Sequence, residues 1–439
     1  MSTASIVTGS RRPGRVWPFG PWRHRLSPIQ FDVALFAASA LFALVASFRS
    51  TIPLYREWGQ IAVGPYLLAT AFAVMLTIRA RRRDVTTLRW WLSGLVLVGT
   101  VLVPLAVEVS WRFSGSDSNQ HVQPEVVVIE RAASAVAHGH DPYEAIVVHG
   151  HLVGGARGLP AYEAFFPYLP AMAIFGLPST LPVDHRATDA RIYFLLATLL
   201  AVALALRLSA ASSTRKLRAF QVAVVLPWAA LTLSTGGDDL PIIGLLMLAI
   251  VLAQRRRPGW SGVVLGVASA MKFTAWPLAA LALFAAVDGE GRRRPGRMLA
   301  GIVGAAAPLT IWAAIIGPRR FIANVVLFPM GLSGVESPAG SALPGHVLVT
   351  AVPAVHRIFP IIAAVVGLGV LAVYLRRRPP LGAVAVARVA GWVLFIAILL
   401  APATRIGYLM YPMNLLVWSW MLTPEGSDQP VDDQAPSDA

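Results

Sequence analysis

The sequence predicts an all-α polytopic transmembrane helix bundle of about 11–13 membrane segments, with a large outer loop carrying interfacial helices. Three observations predict it. Hydrophobic residues make up 56% of the chain and charged residues 13%, whereas a soluble domain carries roughly 25% charged residues. Apolar stretches of roughly 20 residues recur, the length a helix needs to cross hydrocarbon while satisfying its own backbone. Short Arg clusters stand between these stretches, where the positive-inside rule uses them to set orientation.

The N-terminal segment 1–30 holds Arg11, Arg12, Arg15, Arg23 and Arg25 ahead of the first apolar run. It lacks a small-residue cleavage site and reads as an uncleaved cytoplasmic basic tail. Spans follow at 31–48, 60–78, 88–109, 191–208, 220–234, 240–253, 298–316, 358–375, 384–401 and 408–422. Arg clusters at 79–83, 255–257, 292–294 and 376–378 are assigned to the cytoplasm. The loops 111–164 and 317–345 and the turns 236–239 and 404–407 then face outward together.

Two stretches need separate treatment. Segment 260–287 lies between two cytoplasmic clusters but is too short for two full spans, so it predicts a bent pair of short helices with Lys272 near the outer tip. Segment 165–182 carries four prolines, which argue against one straight helix and for a re-entrant or interfacial piece. The whole of 31–422 reads as one transmembrane domain, followed by a disordered cytoplasmic tail at 423–439 rich in Asp, Pro, Ser and Gln. Arg-rich loops and Ala/Val-rich spans point to a high-GC bacterium and hence to its plasma membrane.

The net charge of +15 is explained by topology, since the Arg residues never form one continuous basic face, and no nucleic-acid partner is expected. The chain has no cysteine, which excludes disulfides and thiolate chemistry. His121, His138, His140, His149 and His151 cluster, but without a metal-ligand spacing, so no metal and no cofactor are expected. In the long outer loop, apolar residues recur at a helical period from Glu125 through Val136 and stop at Gly139 and Asp141-Pro142. This pattern fits an interfacial helix.

The run from Glu125 to Tyr143, Glu-Val-Val-Val-Ile-Glu-Arg-Ala-Ala-Ser-Ala-Val-Ala-His-Gly-His-Asp-Pro-Tyr, and the later Phe166-Pro-Tyr-Leu-Pro-Ala-Met resemble the first outer loop of glycosyltransferase family 87. The stretch from Gln254 to Pro277, with Arg-Pro-Gly-Trp-Ser-Gly, Leu-Gly-Val-Ala, Lys272 and Pro277, is similar to a second part of that family. The resemblance spans roughly 111–294. It implies a GT-C-like membrane fold, a polyprenyl-phosphate-linked sugar donor with mannose as the sugar, and a glycolipid or cell-envelope glycan acceptor. It also implies inverting transfer at the outer face, with an acidic residue of the first outer loop as general base, and a sugar site that includes Tyr143 and Tyr168. Where the family usually has Asp ahead of the Pro-Tyr pair, this chain has Glu125, which is the first choice for the base, and Asp117 is the second.

Other residues could serve such a reaction. Lys272 in an apolar run must snorkel or meet an anion such as a donor phosphate. Arg405 is either a second phosphate clamp or an interface anchor beside Tyr408 and Tyr411. Asp238 and Asp239 could orient sugar hydroxyls or hold a cation, or simply favour the start of a helix. Glu130 is expected to pair with Arg131 or a lipid headgroup. The rival reading is a polytopic transporter or lipid-linked-sugar flippase. Against it, the acids cluster at the outer ends, whereas transporters often place charges in broken helices at mid-membrane.

Overall fold

The computed structural model describes residues 27–80, 83–115, 121–144, 147–148, 151–152, 160–355, 358–379 and 382–424. The fold is the expected all-α bundle. The described strands are a two-residue antiparallel pair, Val147–Val148 with His151–Leu152. Helix α1 (Pro28–Arg49) opens with a capping box in which Ser27 and Gln30 exchange side-chain and backbone bonds, satisfying amides that a helix start leaves free. Helix α2 (Pro53–Ala80) lies so close that a Cβ on Gly59 would fall 2.6 Å from the Ala43 carbonyl oxygen. Helix α3 (Thr86–Arg112) carries a π turn at Val98–Leu102, where Pro65 of α2 rests on Gly99.

Helix α4 (Pro124–Ala137) follows in the long loop. A 3-10 helix at Pro170–Thr180 leads to α5 (Ala190–Leu208). Helices α6 (Ser213–Val225) and α7 (Pro227–Thr235) form one apolar pair bent by 45°. Leu226 precedes a proline, which disfavours helical backbone there, and it is extended at ψ 140. The Tyr66 hydroxyl donates to the Val225 carbonyl at this break, at 2.6 Å. Helix α8 (Asp239–Gln254) is apolar all round and buried along nearly its whole length, as a central helix must be.

Helices α9 (Pro258–Ser269) and α10 (Phe273–Ala285) are the expected bent pair, with Lys272 in extended backbone at the break. Helix α11 (Pro295–Ile316) meshes with α9 through glycines. A Cβ on Gly262 would stand 2.2 Å from the Met298 carbonyl oxygen, an approach that only small residues permit. Helices α12 (Pro344–Ala351), α13 (Phe359–Arg377), α14 (Ala383–Leu400) and α15 (Met410–Leu422) complete the chain. Among the described residues, α1, α2, α3, α5, α11 and α14 are each long and apolar enough to cross a membrane, and the bent α6–α7 pair adds a seventh.

Buried ionic clusters mark the two ends of the bundle. At one end Asp32 accepts bonds from Arg89, from Arg218 at 2.8 Å and from Gln221 at 3.1 Å, tying α1, α3 and α6 together. At the other end Arg112 pairs with Glu130 and Asp189, each at 2.6 Å, and Arg191 bonds Asp189 at 2.8 Å. Glu130 also accepts the Ala190 N–H at 3.1 Å. This corrects the expectation for Glu130: its cation is Arg112, and Arg131 instead donates to the Glu163 carbonyl. The two guanidinium groups override the burial of Asp189, which would raise its pKa, and hold the carboxyl at about 2.

Segment 165–182 does not cross the bundle. Near its start the N–H groups of Leu169 and Ala171 bond the carbonyls of Met271 and Ala270, at 3.0 and 3.2 Å, beside Lys272. It then passes over α4, where Gly176 approaches the Ile129 and Glu130 backbone, and returns to the Asp189 turn at the same end.

Candidate functional site

Helix α4 is built to hold its first residues in place. Pro124 occupies the first turn, and Glu125 beside it gains from the positive end of the helix dipole. Val126, Ile129 and Ala133 recur on one face with Val128 and Ala132 alongside, and all are buried. The helix stops where the sequence predicts, at Gly139 with φ +77°. The N–H groups of Gly139 and His140 bond back to the Val136 and Ala135 carbonyls at 3.0 and 2.8 Å, the pattern of a Schellman end.

The front of α4 is pinned to the turn after α7. The Gln123 N–H bonds the Thr235 carbonyl at 3.2 Å, and its side-chain amide donates to the hydroxyls of Tyr55 (2.8 Å) and Thr235 (2.9 Å). A Cβ on Gly236 would fall 2.4 Å from the Gln123 amide oxygen, so any side chain there would have to displace that amide. Gly237, at φ +91°, then delivers Asp238 and Asp239 to the start of α8.

Lys272 meets those acids. Its ammonium donates to Asp238 at 3.0 Å and to Asp239 at 2.6 Å, and the Tyr411 hydroxyl donates to Asp239 at 2.6 Å. The rings of Tyr168 and Tyr408 stand 5.1 and 5.2 Å from the ammonium, within cation–π range. The sequence leaves Lys272 to snorkel or to await a phosphate, but in the fold its charge is already met by two protein carboxylates.

Arg405 is held from the other side. The Thr404 N–H and carbonyl bond Ala339 (2.8 Å) and Ser341 (2.9 Å), and the Ile406 N–H bonds the Ser341 hydroxyl at 3.0 Å. These bonds fix the 404–406 turn against the 317–345 loop. The Arg405 guanidinium pairs with one oxygen of Glu125, while the other, Oε2, is buried with no partner. Burial alone would lower the Arg405 pKa, but the adjacent carboxylate reverses this and raises it.

Glu125, Lys272 and Arg405 line one cavity of about 220 Å³, together with Tyr168 and Tyr408. Tyr162, Phe165, Phe328 and Pro329 supply much of its apolar wall. The cavity thus holds a carboxylate able to accept a proton, cations able to grip an anion, and aromatic faces suited to a sugar ring. The family model of glycosyltransferase family 87 matches residues 166–402, more than half of the chain.

The chain belongs to glycosyltransferase family 87.

Neither a curated protein nor a solved structure matches it. The match takes in Tyr168, Asp238, Asp239 and Lys272, while Arg405 stands three residues past its end and Glu125 lies 41 residues before its start. In this glycosyltransferase Asp238 and Asp239 support the site through Lys272 and are not among the cavity-lining residues. Tyr143 does not reach the cavity either. It is buried against Phe166 and Phe321, and its hydroxyl donates to the Tyr168 carbonyl at 2.9 Å, so it props Tyr168 from behind. Asp117 lies outside the described residues.

Several contributors carry no sequence signal. Tyr162 and Phe328 come from opposite loops, and Asn324 fixes the segment between them by accepting the Phe166 N–H at 2.7 Å. Glu163 stands close by, and burial pushes its carboxyl pKa up, with Arg131 opposing and Glu125 adding to the rise. An amide or acid in a polar loop gives no hint of such contacts until the loops are folded together.

Proposed function

We propose that this glycosyltransferase transfers a sugar, mannose by family resemblance, from a polyprenyl-phosphate donor to a glycolipid or cell-envelope glycan acceptor at the outer face of a bacterial plasma membrane. The observation that carries the reading is the shared cavity of Glu125, Arg405 and Lys272. A hydroxyl is a poor nucleophile until a carboxylate within hydrogen-bond reach takes its proton, and Glu125 is assigned that role. The hydroxyl oxygen attacks the anomeric carbon from the face opposite the phosphate, so the configuration inverts. The phosphate leaves with the bonding electrons, and Arg405, with Lys272 behind it, steadies the charge that develops there.

The donor chemistry suits the surroundings. An isoprenoid tail stays in the bilayer while its phosphate sits at headgroup depth, and the exposed Phe273 and Trp276 beside Lys272 offer an apolar flank at that level. The clustering of Arg residues at the opposite end of the bundle supports an outward-facing site and a cytoplasmic N-terminus. Asp117 remains the second choice for the base. The test is to incubate membranes containing the wild type or Glu125→Gln with radiolabelled polyprenyl-phosphate sugars and lipid acceptors. Transfer by the wild type and none by the folded variant is expected. Near-normal transfer by Glu125→Gln would move the base to Asp117, and no transfer with any polyprenyl-phosphate sugar would overturn the donor assignment.

A further inference from the structure

We propose that the Glu125–Arg405 ion pair is a latch released by the donor: a lipid phosphate entering the cavity takes the Arg405 guanidinium, and the freed carboxylate becomes the proton acceptor. This rests on the donor reading above and adds an order of events to it.

Four observations lead here. Glu125 is gripped by Arg405 through one oxygen, while its second oxygen is buried without a partner. The pair rests on a single carboxylate oxygen, and among the described residues no other donor fixes the Glu125 carboxylate in this position. Arg405 has five N–H donors in a planar fork suited to a phosphate. Its side chain is about one-third exposed, at 32%, and lines the cavity, and among the described residues Glu125 is its only carboxylate partner.

The neighbouring cation is in a different position. Lys272 is shared by two carboxylates, one of them also fixed by Tyr411, so an incoming monoanion displaces a single carboxylate from Arg405 more readily than two from Lys272. The backbones on both sides of the latch are also fixed. Thr404 and Ile406 are bonded to the 339–341 segment, and the start of α4 is pinned through Gln123. Exchange of partners therefore needs only two side chains to turn. A displaced Glu125 remains at the positive end of α4, which keeps its charge stable until a hydroxyl arrives.

With the latch closed, the carboxylate is committed to Arg405, and an acceptor that binds alone finds no free base. When donor phosphate binds Arg405, Glu125 is released. The acceptor hydroxyl gives its proton to Glu125, its oxygen bonds the anomeric carbon, and the sugar–phosphate bond breaks with its electrons on the phosphate. The lipid phosphate then departs, Glu125 loses its proton to water, and the ion pair re-forms. Productive binding is thus ordered, with donor first.

The latch makes an unusual demand: a variant that cannot transfer sugar should hold the lipid phosphate more tightly. Binding of a short-chain polyprenyl phosphate to detergent-purified protein is measured for the wild type, Glu125→Gln and Arg405→Gln, each first shown to be monodisperse with an unfolding midpoint near that of the wild type. Glu125→Gln is expected to bind about tenfold or more tightly, because Arg405 no longer has to abandon a carboxylate. Arg405→Gln is expected to lose binding. Equal or weaker binding by Glu125→Gln, alongside Arg405-dependent binding by the wild type, overturns the latch and leaves the donor reading standing. Failure of the wild type to bind the lipid phosphate overturns both. A Glu125→Ala variant that binds as tightly as Glu125→Gln supports the latch even if Gln introduces a contact of its own, whereas Ala binding no tighter than the wild type overturns it.

Discussion

Replacing Lys272 by Met should be among the most damaging single changes at the site. The Lys272 side chain is largely enclosed, at 12% exposure, and its ammonium stands 3.0 Å from Asp238 and 2.6 Å from Asp239, both of them buried. Met has a similar length and keeps the apolar contacts but leaves two adjacent carboxylates without their shared cation. Breaking a buried ion pair by removing one partner costs about 3–5 kcal/mol, because the remaining charge stays buried and uncompensated. The upper part of that range is expected, since two acids are stranded and repel one another. They are not equally exposed to the loss. Asp239 keeps the Tyr411 hydroxyl at 2.6 Å, whereas no other partner for the Asp238 carboxylate is seen among the described residues. Adding Asp238→Asn to Lys272→Met should therefore recover more stability than adding Asp239→Asn. Thermal unfolding of the purified protein in one detergent, run as two double-mutant cycles, is the assay. Coupling of about 1–3 kcal/mol is expected, larger for Asp238. Additive effects, with no recovery from either Asn, would refute the view that Lys272 is held as a paired charge.

Other expectations follow from the same geometry. Glu125→Gln should reduce sugar transfer by about 10²- to 10⁴-fold with the fold intact, the range a general base supplies, as read by initial rates with labelled donor. Gly262→Val should destabilise the α9–α11 contact by several kcal/mol, because a Cβ there would stand 2.2 Å from the Met298 carbonyl; a lowered unfolding midpoint with little change in donor KM is the expected pattern. Asp189 has its pKa depressed to about 2 from an ordinary 3.8, so its contribution is complete above about pH 4 and is lost as pH falls toward 2. That loss amounts to about 2 kcal/mol, and the unfolding midpoint of the wild type should drop more steeply across this window than that of Asp189→Asn, the difference being the contribution of this one carboxyl.

Much of the fold is legible from apolar length and Arg position. The break at Lys272 follows from local chemistry, since that residue cannot lie in lipid unpaired, whereas the bend at Leu226–Pro227 falls inside 220–234, which reads from the sequence as one span. The end of α4 at Gly139 is equally local. The pairings across the bundle are less accessible. Glu125 and Arg405 lie 280 residues apart in the chain, and nothing in either segment names the other as its partner. Glu130 sits next to Arg131 in sequence, but neighbours on a helix point in different directions, so its cation comes from α3 instead. Tyr143 belongs to the run that carries the family resemblance, yet it works from behind the cavity wall by fixing Tyr168. Residue type and spacing identify the chemistry available; which groups share one chamber depends on how two loops and three turns close over it.

The most direct measurement is a structure of the protein with a polyprenyl phosphate bound, determined by electron cryomicroscopy in a lipid nanodisc. The phosphate is expected in the chamber between α4 and the 404–406 turn, within hydrogen-bond distance of Arg405, with the Glu125 carboxylate turned toward the space an acceptor would fill. A phosphate bound elsewhere, with the Glu125–Arg405 pair undisturbed, would contradict the account.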